Sequence, residues 1–127
     1  MKRDMDLCRL ILLKIEESTS FAPNLKIEGY DDDTIAYHCK MMYDYGLIRN
    51  YHSVTTTDGI LFSVGGLTWE GHDFLDKVRD NSRWRKVKDI IAEKGLPMIL
   101  DTIKPIADAL ITAAVDSVIQ RIKNGGI

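Results

Sequence analysis

Three histidines, two cysteines and 19 carboxylates are the side chains with which this chain could do chemistry. His38 and Cys39 are adjacent in sequence. On a helix, neighbours diverge by about 100°, so the two cannot converge on one metal without a second element, and a zinc site needs three or four ligands. Cys39 instead shares a stripe with Ile35 and Met42, the position of a core thiol. Cys8 also lies in an apolar helical context, and no CxxC spacing is present. Reduced thiols in a cytoplasmic protein are expected, rather than a disulfide framework. Glu70, His72 and Asp73 could pass a proton near neutral pH. No nucleophile or oxyanion donor accompanies them, and solvated side chains in a first helical turn are the plainer meaning. Asp31, Asp32 and Asp33 lack the spacing and distant Glu of a calcium loop, and helix capping accounts for them. Neither GxxxxGK[ST] nor GxGxxG occurs, so no nucleotide cradle is indicated. The expectation is a chain without catalysis, cofactor or resident metal.

Binding chemistry needs a fuller weighing. The net charge of −2 offers no global attraction to a polyanion, so only local clusters of cations could hold double-stranded DNA. One candidate is the helix expected over residues 34–45. With Ile35, Cys39 and Met42 facing in, it would present Tyr37, His38, Lys40, Met41 and Asp44 outward. Lys40 is its single certain cation, three aspartates stand at its N-terminus, and no Lys or Arg occurs between Arg49 and Lys77. The second candidate is Arg83, Arg85 and Lys86, within a group that also holds Lys77, Arg79 and Lys88. Asp76, Asp80 and Asp89 interleave with these, the usual pattern of a solvated helix face. Trp84 among them falls at core spacing more naturally than at a base-stacking position.

The elements that would position these residues follow from periodicity. Met5, Leu7, Cys8, Ile11, Leu12 and Ile15 make a helical stripe over about Asp4 to Glu17. Ser18 to Pro23 breaks it, and Leu25 to Ile27 is expected as a short strand. A second helix opens on Asp31–Asp33 and stops at Gly46. Residues 49–57 and 60–64 are β-branched and aromatic, with Asp58-Gly59 between them as a two-residue hairpin turn and Gly65-Gly66 after them as a hinge or bulge. Thr68 should cap a helix starting at Trp69, where Gly71 in the first turn marks the close approach of another backbone or a large ring. Phe74, Leu75, Val78, Trp84, Val87, Ile90 and Ile91 carry this helix onward, with a bend near Asn81 and Ser82.

This order is that of an α+β, mostly α, winged-helix domain: helix, short strand, helix, β-hairpin wing, helix. DTIAYHCKMMYDYGLIRN looks like that fold's helix leading into the wing, although the helix that normally precedes it is missing, since Ser18 to Tyr30 has no helical period. MKRDMDLCRLILLKIE, YHCKMMYDYGLI and LTWEGHDFLDKVRD together resemble the domain-of-unknown-function family numbered twenty-five thirteen, short bacterial and phage-encoded proteins. The resemblance covers about residues 1–95 and implies a winged-helix fold; it implies little about chemistry.

Residues 96–127 differ in character. After Pro97, a long amphipathic helix is expected on Ile99, Ile103, Ile106, Ala107, Leu110, Ala114, Val118 and Ile122, with a kink or restart near Thr102 to Lys104 because of Pro105, and a stop at Asn124-Gly125-Gly126. A domain of residues 1–95 is too small to cover the apolar stripe of this helix completely. Ile99, Ile103, Ile106, Leu110, Ala114 and Val118 are expected either to pack across the domain or to pair with another subunit or another protein. Asp101, Lys104, Asp108 and Asp116 make a membrane span costly. Two functions follow: a DNA-binding regulator, or a protein-interaction and self-assembly module without DNA binding.

Overall fold

The computed structural model describes residues 1–18 and 22–125. Its elements are α1 (Met5–Glu17), β1 (Ala22–Pro23), α2 (Asp32–Tyr45), β2 (Ile48–Thr56), β3 (Gly59–Leu67), α3 (Trp69–Val78), α4 (Asn81–Glu93) and α5 (Leu100–Lys123). The protein is thus a mostly helical α+β chain with an antiparallel hairpin and a long C-terminal helix. It divides into two compact units, Met1–Leu75 and Asp76–Ile127, so that α4 groups with α5.

In the first unit, α1 is capped by Asp4, whose carboxylate accepts the Leu7 N–H at 3.1 Å. Its apolar stripe from Met5 to Ile15 is buried. The expected break at Ser18 to Pro23 falls partly on Thr19, Ser20 and Phe21, which lie outside the described residues. β1 then pairs with β3, giving an antiparallel sheet of order β1-β3-β2.

The short strand is not where the sequence suggested. Leu25 to Ile27 form no strand, because Asn24 takes a left-handed conformation (φ 42°) and turns the chain out of the sheet. Its side chain then continues the ladder in place of backbone: Oδ1 accepts the Phe62 N–H at 2.7 Å and Nδ2 donates to the Ile60 carbonyl at 3.1 Å. Leu25 goes into the core instead.

The hairpin turn is also displaced by one residue. Thr56 pairs with Gly59, so Thr57 and Asp58 are the central residues and Gly59, at φ 122°, opens β3. The Thr56 hydroxyl holds this turn, donating to the Gly59 carbonyl and accepting the Asp58 N–H. Gly65-Gly66 inserts no bulge: Ile48 opposes Leu67 and Asn50 opposes Gly65, so one register runs through.

α3 begins as expected. The Thr68 hydroxyl accepts the Gly71 N–H at 3.0 Å and donates to the Gly46 carbonyl, while the Thr68 N–H donates to Leu47. These bonds bind the start of α3 to the corner between α2 and β2. A Cβ on Gly71 would lie 2.1 Å from the Leu47 carbonyl oxygen, so the close approach is that of a backbone.

The helix does not run on with a bend at Asn81 and Ser82. It ends at Val78, and Asp80 starts a new helix by accepting the Arg83 N–H at 2.7 Å. In the second unit α4 and α5 pack together, burying Trp84, Val87, Ile91, Ile103 and Ala107. α5 runs unbroken through Pro105 and ends at Lys123, with Asn124 as its C-cap; Gly126, the last residue of the expected stop, lies outside the described residues. Among the described residues no helix is long and apolar enough to cross a membrane.

Candidate functional site

The outward face of α2 is set by its caps. Asp31 accepts the Thr34 N–H at 2.8 Å, and Gly46 closes the C-terminus in the left-handed region. Tyr37 and Lys40 are exposed there, and Met41 is half-buried. Lys40 has neighbours on this face: its Nζ lies 2.7 Å from the Asp44 carboxylate, in an exposed pair, and 5.7 Å from the centre of the Tyr43 ring. The bond to Asp44 raises the Lys40 pKa. The same face carries Tyr43 and Tyr45, and the Tyr43 ring lies 6.3 Å from that of Tyr51 on β2. It is an aromatic surface with a paired cation, bounded by the Asp31–Asp33 run.

His38 corrects the sequence reading. Expected on the outward face, it is fully buried. Its Nε2 accepts the Asp4 N–H at 2.8 Å, and its Nδ1 lies 2.8 Å from the Thr34 carbonyl. A nitrogen that accepts from an amide carries no proton, so Nδ1 is the donor and the imidazole is neutral. The Asp4 carboxylate in turn accepts the Tyr30 O–H at 3.0 Å, a bond that raises the Tyr30 pKa. His38 therefore ties the cap of α1 to α2 instead of meeting a ligand.

The remaining candidates for chemistry stand apart. Cys8 and Cys39 are buried and unpaired, and burial pushes both thiols up to about 12. His72 Nδ1 lies 4.0 Å from the Glu16 carboxylate, a contact near the surface. Among the described residues no three His, Cys, Asp or Glu side chains form a group that could hold a metal ion.

The second group of cations lies on α4, in the other unit. Arg83 is half-buried, and its guanidinium donates to the carbonyls of Asp76 and Lys77 at 3.4 Å, closing the end of α3. Lys77 pairs with Asp108, and Arg79 with Asp76. Trp84 is core, with Lys88 5.7 Å from its ring centre. Arg85 and Lys86 are exposed side by side.

α5 differs along its length. Of the residues expected to pack in cis or to pair in trans, Ile103 is fully buried within its own chain, because α4 covers the first half of the helix. Ile99, Ile106 and Leu110 are half-buried, whereas Ala114 and Val118 are exposed. Every residue from Thr112 to Gly125 is exposed, and Val115, Val118, Ile119 and Ile122 are 42–58% accessible.

One surface was not anticipated. Val54 and Leu61 oppose each other on the open face of the sheet, and Pro23, Ser63 and His52 form the adjoining row. With Asn24 they line a shallow depression of about 420 Å³. The alternation of β2 and β3 carried this signal, since Val54 and Leu61 are apolar on the face opposite Phe62 and Val64.

Comparison with known proteins adds relationship without activity. The chain is 38% identical over 117 residues to an uncharacterized protein of Haemophilus influenzae (strain Rd), covering 88% of this chain and 97% of that relative. No solved structure matches it. Residues 2–97 match the family model described as "Hypothetical protein (DUF2513)", and the α1 stripe, the α2 helix with its Gly46 stop and the Thr68–Gly71 helix start all fall within that match. The chain belongs to this family of domains of unknown function.

Proposed function

We propose that this is a non-catalytic, cytoplasmic binding protein in which a winged-helix-type first unit serves as scaffold and the distal half of α5 is the working surface. The sheet and the α2-to-β2 corner supply the wing and its supporting helix in this reading. The observation that carries it is the uninterrupted exposure of Thr112 to Gly125 around four large aliphatic side chains. An apolar stripe of that length on a helix is a contact surface more often than a solvated one. Two buried free thiols suit a reducing compartment. The test is the mass of the full chain in solution by light scattering across a concentration series. Association that Val118→Asp weakens supports the reading; a chain that stays monomeric and recruits no partner removes it.

DNA binding is the second reading, favoured by one observation: Arg85 and Lys86 are exposed together on α4. The burial of His38 and the Lys40–Asp44 pair count against α2 as the groove-entering helix. Anisotropy of a labelled duplex at low salt distinguishes the two. Binding lost on Arg85→Glu with Lys86→Glu would support DNA contact through α4, and no binding at low salt would remove it.

A further inference from the structure

The distal half of α5 cannot owe its helical state to its own composition. Ile111, Thr112, Val115, Val118, Ile119 and Ile122 are β-branched, the types whose rotamers a helix restricts most. A segment of about 12 residues with no packing partner is marginal as a helix in water. Yet α5 continues to Lys123, about 16 Å beyond the length that the 13-residue α4 can cover.

The apolar side chains have a definite spacing. Half-buried Ile111 and exposed Val115, Val118 and Ile122 recur at intervals of four, three and four, the alternation of a two-helix seam, with Val and Ile of the kind that pack as knobs into holes. A lipid surface fits poorly: no aromatic residue occurs in α5, and the polar side of the segment carries Asp116 beside Arg121 and Lys123 rather than a basic face.

We propose that this segment pairs with the same segment of a second copy of the chain, antiparallel, about a two-fold axis near Asp116 and Ser117. The proposal rests on the assembly reading above and specifies its partner and orientation. Charge favours one direction. Asp108, 3.1 Å from Lys77 of its own chain, lies one heptad before Val115, so a parallel pair would bring two such polar pairs together on the seam in place of an apolar contact. An antiparallel pair opposes Ile111 to Ile122 and Val115 to Val118. It places Asp108 at the far end of the partner helix, within a turn of that helix's Arg121 and Lys123. The two-fold contact is self-complementary and closes at the dimer. It also leaves the halves covered by α4 at opposite ends, away from the seam.

Cross-linking of the full chain tests this. Ile111→Cys and Ile122→Cys chains, one carrying a size tag, are oxidised alone and mixed; Cys8 and Cys39 are buried thiols and give a low background. The expected result is a mixed 111–122 disulfide dimer with little self-linking of either variant. A second measurement, light scattering of Val118→Glu, should show dimer affinity reduced at least about tenfold while a cooperative urea unfolding transition is retained. Self-linking of each variant alone, or a dimer by light scattering in which the mixed pair fails to link, overturns the antiparallel seam and leaves the assembly reading standing. A chain monomeric at its highest soluble concentration overturns both.

Discussion

Single residues with no room for replacement hold the first unit together. Gly71 is the clearest, since any Cβ there would sit 2.1 Å from the Leu47 carbonyl oxygen, a backbone atom fixed by the Thr68 bonds. Gly71→Ala must force α3 away from the α2–β2 corner, at a cost of about 3 kcal/mol or more, measured by urea unfolding. His38 makes a comparable demand through hydrogen bonding. His38→Leu keeps the volume but leaves the Asp4 amide without its partner, while the Thr34 carbonyl loses its second bond and keeps the helical N–H of residue 38; the unpaired amide costs roughly 1–3 kcal/mol. The same urea titration should place this variant well below the parent, whereas Tyr37→Leu one position earlier should lie within about 0.5 kcal/mol of it. The position of His38 was legible in the sequence although its role was not. Ile35, His38, Cys39 and Met42 fall at i, i+3, i+4 and i+7, the spacing of a buried stripe, and the polar identity of the imidazole argued outward against a period that argued inward. A Gly in a first helical turn, by contrast, has few meanings, and the close approach expected at Gly71 is present.

Elements were legible where capping and period agreed, and not where a local side chain displaced the backbone. α1, α2 and the start of α3 carry Asp4, Asp31 and Thr68 immediately before an apolar stripe, so their boundaries follow from sequence. Asp80 has the same chemistry, but the apolar spacing of Phe74 to Ile91 runs across it and suggested one bent helix; the cap prevails because its carboxylate takes the Arg83 amide. Asp80→Ala should therefore cost about 1 kcal/mol in thermal unfolding, and Asp80→Asn much less. Asn24 and Gly59 are harder to read, since nothing in Leu25–Ile27 or Asp58-Gly59 announces that a left-handed residue will move the strand end or the turn by one position. The link between α1 and Tyr30 carries a pH dependence. The hydrogen bond to Asp4 raises the Tyr30 pKa on folding, so its contribution is fully present below the ordinary phenol range and is lost as pH rises above about 10. Tyr30→Phe should be less stable than the parent at neutral pH and should approach it in alkaline buffer, a convergence that denaturation at pH 7 and pH 11 would reveal.

At the scale of the whole molecule, what matters for a polyanion is how many cations are left over once the fold has used its own. Lys26, Lys40, Lys77 and Arg79 are held by carboxylates, Arg83 closes α3, and Arg49 donates to the Leu67 carbonyl beside Gly66. Arg85 and Lys86 remain exposed on α4, Lys94 follows its end, Arg121 and Lys123 are exposed at the end of α5, and Lys2, Arg3 and Lys14 are exposed in the other unit. The candidate site was legible as far as composition went, since the chain's net charge of −2 already argued for local contact only. The ion pairs that Lys40 and Lys77 make depend on which turn of which helix each carboxylate occupies. A duplex meeting only Arg85 and Lys86 would release about two counterions, and the logarithm of its affinity should fall with a slope near −2 against the logarithm of salt concentration. Between about 50 and 200 mM salt that is a loss of roughly tenfold, well short of what a surface with many phosphate contacts loses. Anisotropy over that range measures it directly. A slope steeper than about −5 would mean that more cations converge on one face than Arg85 and Lys86 supply, and would return the DNA reading to first place. A slope near zero with no saturable binding would leave the distal half of α5 as the surface through which this chain acts.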